Sequence, residues 1–172
     1  MNLYGRVHQG NRVVRTIGID PGIGGAIAWI DPEQGVCIHD MPVIGKHNVI
    51  DAVELARILR QARDRLRYPH VVCELAQPMP TQDIASAFDY GRAFGTIEST
   101  VVALNLLLTY IAPAAWKHRV GIGSDDKHDA IARAIELCPD AAPLLRGTQD
   151  YGRAAALLIA IVCGHALTTP PA

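Results

Sequence analysis

The sequence has no long hydrophobic run, no paired-cysteine motif and no excess of charge of either sign, and each shortage removes a class of protein. Its longest apolar stretches, Val101–Leu108 and Ala154–Cys163, are too short to span a bilayer. Met1 to Arg15 contains no apolar core of the kind a secretory signal carries, so a cytoplasmic location is expected. The four cysteines, Cys37, Cys73, Cys138 and Cys163, lie far apart without C-x-x-C spacing, which fits buried free thiols in a reducing compartment. A formal net charge of −1 gives no global attraction to nucleic acid, so any such affinity must come from local positive charge. The seven histidines form no H-E-x-x-H or other zinc spacing, and neither a G-x-S-x-G elbow nor a G-x-x-x-x-G-K-[ST] loop is present. There is no internal repeat and no linker.

What remains is a chain of 172 residues, 49% apolar and 19% charged, expected to form one domain over 1–172 with loose ends at 1–12 and 168–172. The organising stretch is Thr16 to Ile30. An apolar run delivers a single carboxylate, Asp20, to Pro21-Gly22, and a second apolar run follows, as in a hairpin. A carboxylate at the end of a packed strand is costly to desolvate without a partner, and a bound cation is one such partner. Asp20 as a turn-stabilising residue is the alternative.

Strands are expected over Val13–Asp20, Gly25–Asp31 and Val36–Met41, joined by tight turns as an antiparallel meander. A helix opens at Asn48 or Asp51 and runs to about Arg67. Its apolar face includes Leu55, Ile58, Leu59, Ala62 and Leu66, and Arg57, Arg60, Arg63 and Arg67 fall on one side. That stripe is either a solvated face or a phosphate contact. A buried strand, His70–Glu74, ends in a second acid. After the Gln77–Pro80 loop come a helix from about Thr81 to Leu104, a strand Leu106–Ile111 and a short helical turn Pro113–His118. A helix from about Asp126 to Leu137, capped by Ser124 or Asp125, is followed by a loop Pro139–Gly147 and a last helix from about Asp150 to Ala166. This order implies an α/β fold: a five-stranded mixed sheet, three strands antiparallel and then parallel ones, with helices on both faces.

Asp20 and Glu74 both close strands, and Asp150 opens the last helix. Three carboxylates meeting without a basic partner would repel unless protonated or bridged by a cation. Oxygen donors with room for water and phosphate favour Mg²⁺, or Mn²⁺, over Zn²⁺.

The motif Ile17-Gly18-Ile19-Asp20-Pro21-Gly22 resembles the opening strand of RuvC-type Holliday junction resolvases, which have the ribonuclease H-like fold. A longer resemblance is to their phage and prophage relatives. It takes in Glu74, Met79-Pro80 through Ala85–Phe88, Gly91–Gly95, Pro113–Lys117, Asp126-Lys127, Glu136–Asp140 and Asp150–Ala160. The opening motif alone also fits actin-like sugar kinases, which are much longer. The resemblance implies a homodimer that nicks two strands of a four-way or other branched DNA, using Mg²⁺ held by four acids. Asp20 matches the first and Glu74 the second. Asp150 supplies the third, although it sits one position early with Tyr151 in the expected place, and Ala155 occupies the position of the fourth. An introduced substitution, a natural variant without activity, and an alignment off by one residue all account for that alanine. Arg92, Lys117 and Lys127 match basic positions and are the candidate DNA contacts, while Arg153 is placed to pair with Asp150. Phe88, Tyr90 and Phe94 suit a branch point, although core packing is the expected role of Phe88 and Phe94. A junction-binding protein with a degenerate site and a nucleotide-binding protein are the competing functions.

Overall fold

The computed structural model describes residues 15–45, 49–75, 83–123 and 127–166. Several expectations fall outside these residues: the lead-in 1–12, Val13, a helix start at Asn48, the Gln77–Pro80 loop, the Ser124 or Asp125 cap, Asp126, and the tail 168–172.

The first strand, β1 (Thr16–Asp20), pairs antiparallel with β2 (Ala26–Asp31), which pairs antiparallel with β3 (Gly35–Asp40). A two-residue hairpin, β4 (Val43–Ile44) with β5 (Val49–Ile50), leads into helix α1 (Ala52–Leu66). Strand β6 (His70–Glu74) then lies parallel to β1, and after helix α2 (Ile84–Ala103) strand β7 (Leu107–Ile111) lies parallel to β6. The sheet order is β3-β2-β1-β6-β7, the mixed five-stranded sheet expected from the element order. Helices α3 (Pro113–Val120), α4 (Lys127–Leu137) and α5 (Tyr151–Ala166) complete the chain. Segments Pro139–Leu144 and Thr148–Asp150, expected as loop and helix start, are 3₁₀ turns; Pro139 lacks the N–H that a first helical position leaves unpaired anyway.

Strand alternation divides the core in two. Ile17, Ile19, Ile27, Trp29, Val71 and Cys73 face α1 and α2. On the other face Ala26, Ala28 and Val72 meet α3, α4 and α5. The small residues on this second face are required. A Cβ on Gly18 would come within 2.1 Å of the Ala156 carbonyl oxygen and 2.6 Å of the Ala160 amide nitrogen, so α5 lies almost directly on β1. Residues 154–161 of α5 are all buried, which explains why this segment is apolar on every side. Helix α1 instead has a single buried stripe. It is capped by Asp51, whose side chain accepts from the Val53 and Glu54 amides at 3.0 Å. Among the described residues no helix is long and apolar enough to cross a membrane.

Candidate active site

Because Ile19 is registered with Cys73, the parallel strands β1 and β6 bring their last residues, Asp20 and Glu74, to the same end of the sheet. Both positions have the parity of Gly18 and Val72, so both carboxylates lean toward α3 and α5. The turn after Asp20 is built from glycine for steric reasons. Gly22 has φ +119°, and the Gly25 amide donates to the Gly22 carbonyl at 3.1 Å. A Cβ on Gly25 would stand 2.0 Å from the Asp20 carbonyl oxygen.

Helix α5 begins against this turn. A Cβ on Gly152 would approach the Gly24 carbonyl oxygen to 2.5 Å and Asp20 Oδ2 to 3.1 Å. From α3, the buried Trp116 donates its indole N–H to Glu74 Oε2 at 2.5 Å. The neighbouring Lys117 holds its ammonium 5.7 Å from the Trp116 ring. Tyr90 of α2 packs over Gly22, and Tyr151 lies half-buried at the start of α5 with Lys127 Nζ 5.7 Å from its ring.

Burial and then the facing Glu74 push the Asp20 carboxyl up to about 8, with Lys117 opposing both. Burial likewise raises Glu74, against the Trp116 hydrogen bond and Lys117. The phenols of Tyr90 and Tyr151 are pushed up to about 12, by burial first and then by Glu74 and Asp20. Both tyrosines are therefore protonated donors beside a pair of carboxyls that resist simultaneous ionisation.

Asp150, the third expected acid, has both carboxylate oxygens hydrogen-bonded. Asp150 is buried, and its Oδ2 accepts the backbone amides of Arg146 at 2.7 Å and Gly147 at 3.1 Å. Its Oδ1 accepts from Arg153 at 3.1 Å, the pairing foreseen from sequence. Arg153 also grips Asp40 of β3 through two hydrogen bonds of 2.5 and 2.6 Å. Asp150 thus fixes the entry to α5. Among the described residues no group of three or more histidine, cysteine or acidic side chains is placed to hold a metal ion.

Ala155, one turn beyond Tyr151, is wholly buried in the core. Of the candidate basic residues, Lys117 faces the acids and Lys127 stands at Tyr151, whereas Arg92 pairs with Asp89 on the exposed surface of α2 at 3.0 Å. Phe94 packs against the core and Tyr110, as expected, but Phe88 is 68% exposed and takes no part in the core. Sequence reasoning gave no role to Trp116, Gly152 or Tyr151, and offered Tyr90 only as a branch-point residue. The Trp116-Lys117 dipeptide was the one available signal, since an indole donor beside an ammonium suits a carboxylate.

No family model matches the sequence, and no curated protein matches it. Solved structures do. A Thermus thermophilus RuvC in complex with Holliday junction substrate matches with a TM-score of 0.62 and 15% identity, covering 90% of this chain and 96% of the other. A second Thermus thermophilus RuvC structure matches with a TM-score of 0.56 and 15% identity, over 92% of this chain and 100% of that one. The yeast mitochondrial Holliday junction resolvase Ydc2 is more distant, at a TM-score of 0.49 and 12% identity over 91% and 80% of the two chains. The fold is thus that of RuvC, ribonuclease H-like.

Proposed function

We propose that the protein is a resolvase-like endonuclease that hydrolyses phosphodiester bonds in branched DNA, with a divalent metal ion held by Asp20 and Glu74. The observation that carries this is the side-by-side placement of these two acids on parallel strand ends, where burial and the facing Glu74 raise the Asp20 carboxyl despite Lys117. The donor set fits one hard ion. Mg²⁺ is commonly held by one or two carboxylates, with water and substrate phosphate completing its shell. A bound Mg²⁺ or Mn²⁺ would neutralise charge on the phosphate and acidify an attacking water.

The remaining work falls to residues of the chain itself. Trp116 holds one oxygen of Glu74 and leaves the other to face the site. Lys117 lies close enough to both acids to lower their pKa values, and in the same position its ammonium would meet a phosphate and the charge that develops there. The Tyr90 and Tyr151 phenols, protonated at any physiological pH, offer O–H donors to phosphate oxygens. Asp150 and Arg153 set the angle at which α5 meets the site, so Asp150 serves as a positioning residue. Membership of the phage-like branch of resolvases rests on the sequence resemblance.

Paired nicking would need two copies of the chain, and α2 offers a face for that. Ile84, Phe88 and Val102 are 89%, 68% and 61% exposed. A Cβ on Gly91 or Gly95 would meet nothing within 4 Å, so a second helix has room to approach. Sedimentation should give a dimer for the natural chain and a monomer for Phe88→Glu.

Ala155 favours a second function, a junction-binding protein without turnover, because a buried methyl group stands where the resemblance places an acid. A labelled four-way junction decides between them, with nicking and gel retention scored with and without Mg²⁺ or Mn²⁺. Metal-dependent nicks abolished by Asp20→Asn, with retention intact, support the nuclease. Tight retention with no nicks under any metal identifies the binding protein, and no retention at all overturns both.

A further inference from the structure

On the opposite side of the sheet, α1 and the turn that follows it carry five arginines, Arg57, Arg60, Arg63, Arg65 and Arg67. Three are matched. Arg57 pairs with Glu54 at 2.7 Å, Arg63 with Asp64 at 3.1 Å and Arg65 with Asp31 at 3.6 Å. Arg60 and Arg67 are exposed and have no side-chain partner among the described residues. Arg67 is the C-terminal cap of α1, seven residues after Arg60, which puts about 10 Å between their backbone positions along the helix axis.

Tyr68 follows directly. It is 96% exposed, in a chain whose aromatic residues are only 5% of the total. The backbone that presents it is strained. Arg67 has φ +51° and Tyr68 φ +65°, two successive bulky residues in the left-handed region, the second of them preceding Pro69. Glycine is the usual occupant of such a helix-ending position. The turn is pinned rather than loose. The Arg67 amide donates to the Arg63 carbonyl at 3.0 Å, Arg15 Nη1 donates to the Leu66 carbonyl at 2.9 Å, and the His70 amide donates to the Arg15 carbonyl at 2.9 Å. A strained conformation fixed on three sides, displaying an aromatic ring that is 96% exposed, points to a use for the ring outside the chain.

We infer that Tyr68, Arg60 and Arg67 form a contact for a single-stranded DNA segment, with an unpaired base stacked on the Tyr68 ring and flanking phosphates held by the two arginines. An exposed ring can stack only on a base that is not already covered, whereas unmatched arginines suit any phosphate, so their combination selects single strand. The contact lies at the start of β6, and the strand itself puts roughly 13 Å between His70 and Glu74, so it cannot belong to the acid pair. It deepens the branched-DNA function: the favoured substrate would carry a single-stranded tract, as a fork or flap does, beside the point of cleavage.

The probe is fluorescently labelled oligo(dT), titrated by anisotropy in chelator alongside a four-way junction. Tyr68→Ala should weaken oligo(dT) binding roughly tenfold. The double change Arg60→Ala/Arg67→Ala should reduce the slope of log affinity against log salt by about 1.4. Tyr68→Gly separates ligand binding from a structural role, because relief of the left-handed strain should raise Tm while affinity falls as in the alanine variant. Oligo(dT) affinity unchanged by Tyr68→Ala, or a lower Tm for Tyr68→Gly, would overturn the inference. Retention of the junction by the natural chain without any oligo(dT) binding would overturn it too and leave the nuclease standing. Failure to bind either DNA would remove both.

Discussion

Trp116 donates its indole N–H to Glu74 Oε2 at 2.5 Å, and this bond is the direct tie between α3 and the acid pair. It stabilises the ionised form of a carboxyl that burial otherwise raises. Trp116→Phe keeps most of the packing and removes the donor. The Glu74 carboxyl should then titrate at higher pH, so the acid limb of the nicking profile moves to higher pH and the Mg²⁺ concentration for half-maximal nicking increases. The fold should lose about 1–3 kcal/mol in a denaturant titration. A profile that stays in place would mean that Glu74 does not titrate in the active form.

The Asp20 carboxyl gives the protein an unusual pH dependence. Its folded pKa of about 8 lies above the ordinary aspartate value of 3.8, so the native state binds more protons than the unfolded chain between those limits. Stability in chelator should therefore fall as pH rises from about 4 to about 8. Asp20→Asn removes this contribution and should be the more stable protein at pH 8, by at least ~1 kcal/mol, with little difference at pH 4. Adding Mg²⁺ at pH 8 should raise the Tm of the natural chain and leave that of Asp20→Asn unmoved. Parallel stability curves for the two proteins across this range would show that Asp20 is ionised at no cost.

Glycine at 18 and at 152 should respond differently to a single methyl. At Gly18 the added Cβ meets backbone on α5 at 2.1 Å, so Gly18→Ala should push the helix off β1 and cost ~3 kcal/mol or more. At Gly152 the nearest atoms belong to the Asp20 turn and to the Asp20 carboxylate itself. Gly152→Ala should accordingly lower nicking by more than its loss of stability explains, which comparison of specific activity with the folded fraction would measure.

Much of this arrangement was written plainly in the residues. Asp20 and Glu74 each end a short run of apolar, largely β-branched residues, and the element order alone implied a mixed sheet with the two acids at strand ends. The fate of Asp150 was not legible, because its partners are the backbone amides of Arg146 and Gly147, which carry no side-chain signature. Phe88 was misplaced for a related reason. Helix α2 has apolar residues around most of its circumference, and periodicity does not say which side the sheet will cover. The two-residue strands β4 and β5 are too short to give any alternation. That Tyr90 and Tyr151 both stand near the acid pair depends on where α2 and α5 lie relative to the sheet, which no local pattern encodes.

Ala155 is where sequence resemblance and structure pull hardest against each other. The resemblance places an acid there, yet the side chain is wholly buried in the core that packs α5 against the sheet. An aspartate in that space would be buried in an apolar core, so in chelator Ala155→Asp should cost ~3 kcal/mol or more. The same carboxylate lies one turn from Tyr151 and Gly152, the residues that flank Asp20, so a divalent ion at the acid pair is its natural counter-charge. Mg²⁺ should therefore recover more stability in Ala155→Asp than in the natural chain, and junction nicking should rise. Ala155→Asn is the control: it has nearly the same shape and no charge, and should gain neither. Were Ala155→Asp destabilised equally with and without Mg²⁺, with no more nicks than before, position 155 would be packing alone and the two-acid site would be complete as it stands.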